Sequence, residues 1–162
     1  MKWRFAFGKL MKFLQIAQTP SPNTKIIAKA SFEAMQSYCE TPATFITKCP
    51  TQIVANDLAD IDGLVLGTLE NIGALAGLTK DMFDRCYNEW LTYPEGLAVA
   101  IYIRAGLDGT ATKNSLLSLS QALNWRLIAP PVILHGPYDE AMCTQAAELS
   151  GALTAGVESG IF

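Results

Sequence analysis

Three polar segments carry residues whose types and spacing could bind a ligand, and each follows an apolar run. The first segment, 18–24, contains Gln18, Thr19, Ser21, Asn23 and Thr24. The second segment is 67–73, and the third is 105–110. Open α/β sheets bind ligands just beyond the carboxyl ends of their strands, so each segment is a candidate wall of a binding site.

The chemistry open to the first segment is anion binding. Free backbone N–H groups and the helix dipole favour an anion such as phosphate at the start of a helix. The side chains of Ser21, Asn23 and Thr24 could equally act as plain N-caps, which need no ligand. The segment alone therefore leaves phosphate binding and simple capping open.

The second segment is the first candidate for the site. The apolar run 64–66 predicts a fully buried strand, and 67–73 is predicted to be the polar loop after it. Gly67 and Gly73 bracket this loop, and glycine lets a backbone turn sharply and lets a flat ligand approach closely. Helical spacing then predicts an amphipathic helix with the apolar residues Leu75, Leu78, Met82, Phe83, Cys86, Tyr87 and Trp90.

Other catalytic arrangements are disfavoured. The single histidine, His135, is predicted to be structural or solvent-exposed in preference to a general acid. No Ser/His/Asp or Cys/His arrangement has supporting context, which argues against a hydrolase. The four cysteines are widely spaced and lack a C-x-x-C pair, which argues against a zinc site and a redox dithiol. No catalytic and no metal-binding residue is therefore predicted.

Composition sets the class of protein. A chain of 162 residues, half of them hydrophobic and 17% charged, predicts one folded domain with a sizeable core. Six of the twelve Lys and Arg residues precede Glu33, which indicates either an anion near the start of the fold or a basic tail. A net charge of -3 without a recognisable motif gives no support for nucleic-acid binding. No apolar run is long enough for a membrane span, and free thiols suggest a cytoplasmic protein.

Apolar periodicity predicts the elements that position these segments. Five short strands are expected at 13–17, 44–47, 64–66, 97–103 and 127–134. Helices are expected between them and after the last, so the chain predicts a mostly parallel sheet covered on both faces. A strand order of 2-1-3-4-5 would bring the three polar segments to one edge of the sheet. Residues 1–10 are predicted to be an N-terminal extension, and 11–162 the folded domain.

The sequence resembles the flavodoxin-like family, and within it the FMN-binding NAD(P)H-dependent oxidoreductase and quinone-reductase branch. The resemblance lies in GTLENIG at 67–73, AGLTKDMFDR at 76–85 and LTAGVESGIF at 153–162, and it covers nearly all of 11–162. It implies a doubly wound five-stranded parallel sheet in a three-layer sandwich. It also implies that the first segment holds the FMN phosphate and that the other two border the isoalloxazine ring.

Carried over by position, this resemblance implies a set of cofactor-binding residues. The phosphate would be surrounded by Gln18, Thr19, Ser21, Asn23 and Thr24. The ring would be bordered on one side by Thr68, Leu69, Glu70, Asn71, Ile72 and Gly73, and on the other by Ala105, Gly106 and Gly109. NAD(P)H would be the co-substrate and a quinone or similar small molecule the electron acceptor, and a homodimer or larger homo-oligomer is a further implication.

Two other functions stay open. Pro20 and Pro22 in the first segment lack the N–H groups that would bind a phosphate. A flavodoxin-like scaffold that has weakened or lost flavin binding and acts as an interaction protein is therefore the alternative. A one-electron carrier is the third reading, although carriers of this fold tend to be strongly acidic for partner steering.

Overall fold

The sheet is built from the apolar runs, and its elements are described over residues 9–162 of a computed structural model. Residues 1–8, most of the expected extension, lie outside the described residues. The strands are β1 (Met11–Ala17), β2 (Ala43–Lys48), β3 (Gly63–Asn71), β4 (Ala74–Leu75), β5 (Ala98–Ala105), β6 (Arg126–Leu127) and β7 (Val132–His135). The helices are α1 (Pro22–Ser37), α2 (Gly77–Trp90), α3 (Thr110–Ala122) and α4 (Glu140–Glu158), with short 3-10 turns at Pro50–Gln52 and Ala55–Leu58.

The strand order confirms the predicted topology. The sheet runs β2-β1-β3-β5-β6 with parallel pairing, and β7 also pairs with β5. The predicted strand order 2-1-3-4-5 is therefore present, with β5 as its fourth member and β6 and β7 together as its fifth. The expected single strand 127–134 is split, because Pro130 and Pro131 cannot donate to the ladder of β5.

Alternation along the central strands separates two cores, one on each face of the sheet. Leu64 and Leu66 of β3 belong to the core under α2 and α3, whereas Val65 between them belongs to the core under α1 and α4. This arrangement follows from the period of two in a strand, which sends neighbouring side chains to opposite faces. The three-layer α/β sandwich predicted from the sequence is confirmed.

A buried polar network fixes α1 and α4 against β1. Gln15, inside the otherwise apolar β1, donates from Nε2 to the Ala28 carbonyl at 3.1 Å and accepts from the Ser31 hydroxyl at 2.6 Å. Ser31 Oγ lies 2.6 Å from Ser150 Oγ of α4. Since buried polar groups need partners, these bonds set the position of both helices along the strand. They therefore also fix where the first polar segment leaves β1.

The end of α4 is tied to the loop before β2 through Glu158. Its carboxylate accepts hydrogen bonds from the Glu40 N–H at 3.0 Å and from the Thr41 N–H at 2.6 Å, as well as from the Thr41 hydroxyl. These donors, with the Glu40 N–H first, lower the pKa of the Glu158 carboxyl. A carboxylate is unfavourable at a helix C-terminus, and the loop donors offset that effect.

Replacing Glu158 by glutamine is expected to destabilise the protein at pH 7 and to matter less in acid. The folded pKa lies below the unfolded one, so the stabilisation is complete above the unfolded pKa and is lost as the pH falls through the folded pKa. Urea unfolding of wild type and Glu158→Gln should therefore give a difference that shrinks below about pH 4.3, the ordinary pKa of glutamate. Glu148→Gln, exposed on the same helix, is the control, and a constant difference across this range would contradict the assignment.

No helix in the described part of the chain is long and apolar enough to cross a membrane.

Candidate ligand site at the carboxyl edge of the sheet

The three polar segments meet at one edge of the sheet, as predicted. Ala17 at the end of β1 is in register with Gly67 of β3, and Glu70 of β3 is in register with Ala105 at the end of β5. The chain leaves these neighbouring strands in the same direction, because they are parallel. β1 and β3 also flank the point where the strand order reverses, and such a switch point leaves a crevice between the outgoing loops.

Gln18 joins the first segment to the neighbouring strand and helix. Its N–H donates to the Gly67 carbonyl at 3.0 Å, and its Oε1 accepts from the Thr79 hydroxyl at 3.0 Å. Thr79 Oγ1 lies 2.7 Å from Thr68 Oγ1, and both threonines are buried. Thr79 of α2 thus links the side chains of Gln18 and Thr68 through hydrogen bonds. These bonds position the candidate site, and no local sequence pattern indicates Thr79 as the common partner of Gln18 and Thr68.

The rest of the first segment forms the start of α1. The Ser21 N–H donates to Thr24 Oγ1 at 3.0 Å, and the Thr24 N–H donates to Ser21 Oγ at 3.3 Å, which is a reciprocal capping box. Asn23 is exposed and Thr19 is half-buried. Of the two interpretations left open by the sequence, capping is the one these two hydroxyl side chains satisfy within the chain.

The second segment is mostly strand, which corrects its prediction as a loop. β3 continues to Asn71, where β4 returns antiparallel to it and pairs Glu70 with Leu75 and Asn71 with Ala74. Thr68, Leu69 and Glu70 are buried, and their backbone groups belong to a ladder with β5 and β4. Because ladder pairing uses N–H and C=O groups, these pairings leave few backbone groups of the three residues for a ligand. The exposed residues of this segment are Asn71 and Ile72, at the hairpin turn.

The hairpin turn holds an apolar side chain in solvent. Ile72 and Gly73 both have positive φ, 52° and 71°, as the favoured two-residue hairpin requires. A β-branched residue is rare in this region of the backbone, and the Ile72 side chain is fully exposed. The turn was not predicted from the sequence, because Ile-Gly is not a usual hairpin pair, whereas Asn-Gly is.

The third segment brings a second apolar side chain to the same place. Leu107 is 63% exposed, and a Cβ built on Gly73 would lie 3.9 Å from Leu107 Cδ1. Ala105 and Gly109 are buried, so the exposed residues of this segment are Gly106 to Asp108 and Thr110, the first residue of α3. We call Ile72, Gly73 and Leu107 the apolar ledge. Exposed apolar residues that adjoin one another at a ligand-binding edge indicate an interaction surface more strongly than scattered ones do.

Glu70 has a positioning role at this edge. Its Oε1 accepts a hydrogen bond at 3.2 Å from the N–H of Gly109, the residue just before α3. Glu70 is 8% exposed. Its Oε2 has no hydrogen-bond partner among residues 9–162. An anion at the start of a helix is favoured by the helix dipole, so Glu70 caps α3 from the neighbouring strand. It thereby holds the third segment, with Leu107, against the hairpin.

Two further residues shape the edge without being predicted from the sequence. The Arg104 guanidinium donates to the carbonyls of Ala105 and Leu134 at 3.0 Å each and to that of Gly136, so it ties the end of β5 to β7. Tyr102 is buried beside Gly67, and desolvation by burial raises the pKa of its phenol. Neither has a signal in local sequence, because both act across strands that are distant along the chain. His135 is the last residue of β7 and is exposed, in agreement with the prediction of a structural or solvent-exposed histidine.

A large groove lies elsewhere, at the amino ends of the strands. It has a volume of about 960 Å³ and is lined in part by Trp90, Tyr93, Trp125 and Phe162. The carboxyl edge is the candidate ligand site, because the switch point and the exposed ledge coincide there. The groove at the opposite edge contains none of the three polar segments.

Comparison with known proteins supports the fold. No family model matches the chain, and no curated protein matches it. Among solved structures, a flavodoxin from the domain Archaea is similar with a TM-score of 0.72 and 16% identity over 91% of this chain and 99% of its own. An oxidoreductase from Corynebacterium diphtheriae is similar with a TM-score of 0.66 and 17% identity, covering 93% of this chain and 98% of its own.

A larger protein contains the same unit. The rubredoxin oxygen:oxidoreductase from the anaerobe Desulfovibrio gigas is similar with a TM-score of 0.74 and 9% identity over 93% of this chain. This chain spans 37% of that protein's length. At such low identities the likeness establishes the flavodoxin-like fold, and function has to be argued from the site itself.

Proposed function

We propose that this protein is an FMN-binding oxidoreductase that takes electrons from NAD(P)H and passes them to a quinone or similar acceptor. The observation that carries the proposal is the apolar ledge of Ile72, Gly73 and Leu107 at the switch-point edge of a flavodoxin-like sheet. An exposed isoleucine held at positive φ is an unfavourable feature, and such strain is concentrated at functional sites. A flat, apolar ring on this ledge would remove both side chains from water.

The groups at this edge match a flavin ring. Ile72 and Leu107 offer aliphatic surface for its face. Ile72, Gly73, Gly106 and Leu107 have N–H groups without a backbone acceptor in the described chain, and these could serve the polar edge of the ring. When bound, the flavin supplies the electron-transfer chemistry, while the protein positions and tunes it. We assign no side chain as an acid or base.

Charge argues for an enzyme over a one-electron carrier. Within the segments 18–24, 67–73 and 105–110 the charged residues are Glu70, which is buried, and Asp108, which is exposed. A carrier that docks on large partners through complementary charge would gain from an acidic rim, whereas a small neutral acceptor needs none. The scaffold alternative rests on a different observation, namely that Pro20 and Pro22 weaken the first segment as a phosphate site.

The proposal predicts saturable FMN binding that depends on the ledge. Titration of wild type should quench FMN fluorescence with a Kd in the micromolar range or tighter, and Ile72→Asp should weaken binding at least tenfold. The carboxylate of this variant would repel the electron-rich polar edge of the ring and remove the apolar contact. Leu91→Asp is the matched control, since Leu91 is 49% exposed at the end of α2. If neither wild type nor control binds FMN while circular dichroism shows native structure, the scaffold alternative replaces the enzyme.

Direct reduction separates the enzyme from the carrier. Under anaerobic conditions, NADH or NADPH should bleach the flavin absorbance of the loaded protein, and a quinone should restore it. Reduction only after a partner reductase is added would favour the carrier. We further propose that the protein is cytoplasmic. We also propose that it forms a homo-oligomer that completes the site, and sedimentation with and without FMN would test the oligomeric state.

A further inference from the structure

We infer that the site recognises the ring and the neutral ribityl chain of a flavin and makes little use of its phosphate, so that riboflavin and FMN bind with similar affinity. This inference rests on the proposed function. It departs from what the resemblance implied for the first segment. Most backbone N–H donors between Gln18 and Thr24 are missing or already bonded within the chain.

Most of these donors are absent or already used. Pro20 and Pro22 have no N–H group. The Gln18 N–H is bonded to the Gly67 carbonyl, the Ser21 N–H to Thr24 Oγ1, and the Thr24 N–H to Ser21 Oγ. Of the seven residues, Thr19 and Asn23 alone keep an N–H without a partner in residues 9–162.

The hydroxyl groups of Ser21 and Thr24 are committed as well. Thr24 Oγ1 donates to the Ser21 carbonyl at 2.9 Å while it accepts from the Ser21 N–H, and Thr24 is 8% exposed. Ser21 Oγ accepts from the Thr24 N–H and lies 3.1 Å from Thr24 Oγ1. Binding a phosphate with either hydroxyl would break the capping box that starts α1, so the gain would be offset by the loss of the cap.

The remaining electrostatic attraction is small. The dipole of α1 and the exposed Lys25 in its first turn both favour an anion, but each acts in high dielectric and is screened by salt. A phosphate needs several hydrogen-bond donors to replace its hydration. The donors left in residues 18–24 are two backbone N–H groups, the hydroxyl of half-buried Thr19 and the side-chain amide of exposed Asn23, and they supply only part of that need. We therefore expect the phosphate to stay in water, and the two flavins to differ by less than about fivefold in Kd.

The test is a pair of fluorescence-quenching titrations, with riboflavin and with FMN, at 20 mM and 500 mM potassium chloride. Wild type is expected to bind both ligands within about fivefold of each other, with little dependence of the FMN Kd on salt. FMN binding at least thirtyfold tighter than riboflavin would overturn the inference and leave the proposed function standing. Absence of binding by both flavins would overturn the proposed function and this inference together.

Restoring the missing donors gives the converse result. The double variant Pro20→Ala/Pro22→Ala gains two N–H groups in the first segment and should tighten FMN about tenfold or more while leaving riboflavin unchanged, since hydrogen bonds to charged groups are the stronger ones. Pro94→Ala, an exposed proline in the turn after α2, is the control and should change neither affinity. Equal effects of the double variant on both flavins would contradict the role assigned to the prolines. Thermal unfolding of each variant confirms that it is folded.

Discussion

Replacing Gly67 by alanine is expected to lower the free energy of unfolding by about 2–3 kcal/mol, the upper part of the range for overpacking in a core. Gly67 lies in β3 between Ala17 of β1 and Tyr102 of β5. A Cβ at this position would overlap Cζ and the hydroxyl oxygen of the Tyr102 ring. That ring is 4% exposed and is packed in the core under α1 and α4, so it cannot move aside without displacing its neighbours.

Urea unfolding and a double-mutant cycle test this prediction. In a Tyr102→Ala background the clash is gone, and Gly67→Ala should cost less than about 1 kcal/mol, so the two changes would be strongly non-additive. Gly77→Ala is the matched control. Gly77 begins α2 and has open space where its Cβ would go, so alanine there should be neutral or slightly stabilising. Equal costs for Gly67→Ala and Gly77→Ala would show that the contact with Tyr102 is unimportant.

Replacing Glu70 by alanine is expected to cost about 3 kcal/mol. The change removes the acceptor of the buried Gly109 N–H and leaves that donor unsatisfied, which costs about 1–3 kcal/mol. Glu70 is 8% exposed, so its truncation to alanine also leaves a cavity. The same change removes a favourable negative charge from the start of α3. Glu70→Gln keeps an acceptor oxygen, so it should cost about 1 kcal/mol.

The readouts distinguish this cap from a general loss of packing. Hydrogen exchange of the Gly109 amide should accelerate strongly in Glu70→Ala and weakly in Glu70→Gln. Glu148→Ala on the exposed face of α4 should stay within about 0.5 kcal/mol of wild type. If alanine and glutamine at position 70 cost the same, the bond to Gly109 contributes nothing. This cap holds the third segment, which includes Leu107, in place. Glu70→Ala should therefore make Leu107 more mobile and weaken flavin binding.

The sequence by itself determined the layers, and with the strand order that the flavodoxin-like resemblance implied it also determined the edge at which the polar segments meet. The runs at 64–66 and 97–103 are apolar without interruption, a pattern that predicts strands covered on both faces wherever it occurs. The helical spacing that continues through Met82, Cys86 and Trp90 predicts α2, because each of these residues faces the sheet. Such patterns can be read locally, since burial on one face depends only on the period of the element.

Tertiary structure alone decided what the polar segments do. Whether 67–73 is loop or strand depends on β4, which folds back at an Ile-Gly turn and pairs with β3. The partners of Glu70 and Gln18 are Gly109 and Thr79, 39 and 61 positions away. A polar side chain in a sequence is equally able to bind a ligand or the chain, and only the folded geometry determines which partner is close enough. For this reason the edge where the polar segments meet was predictable, whereas the apolar ledge and the bonded donors of the first segment were not.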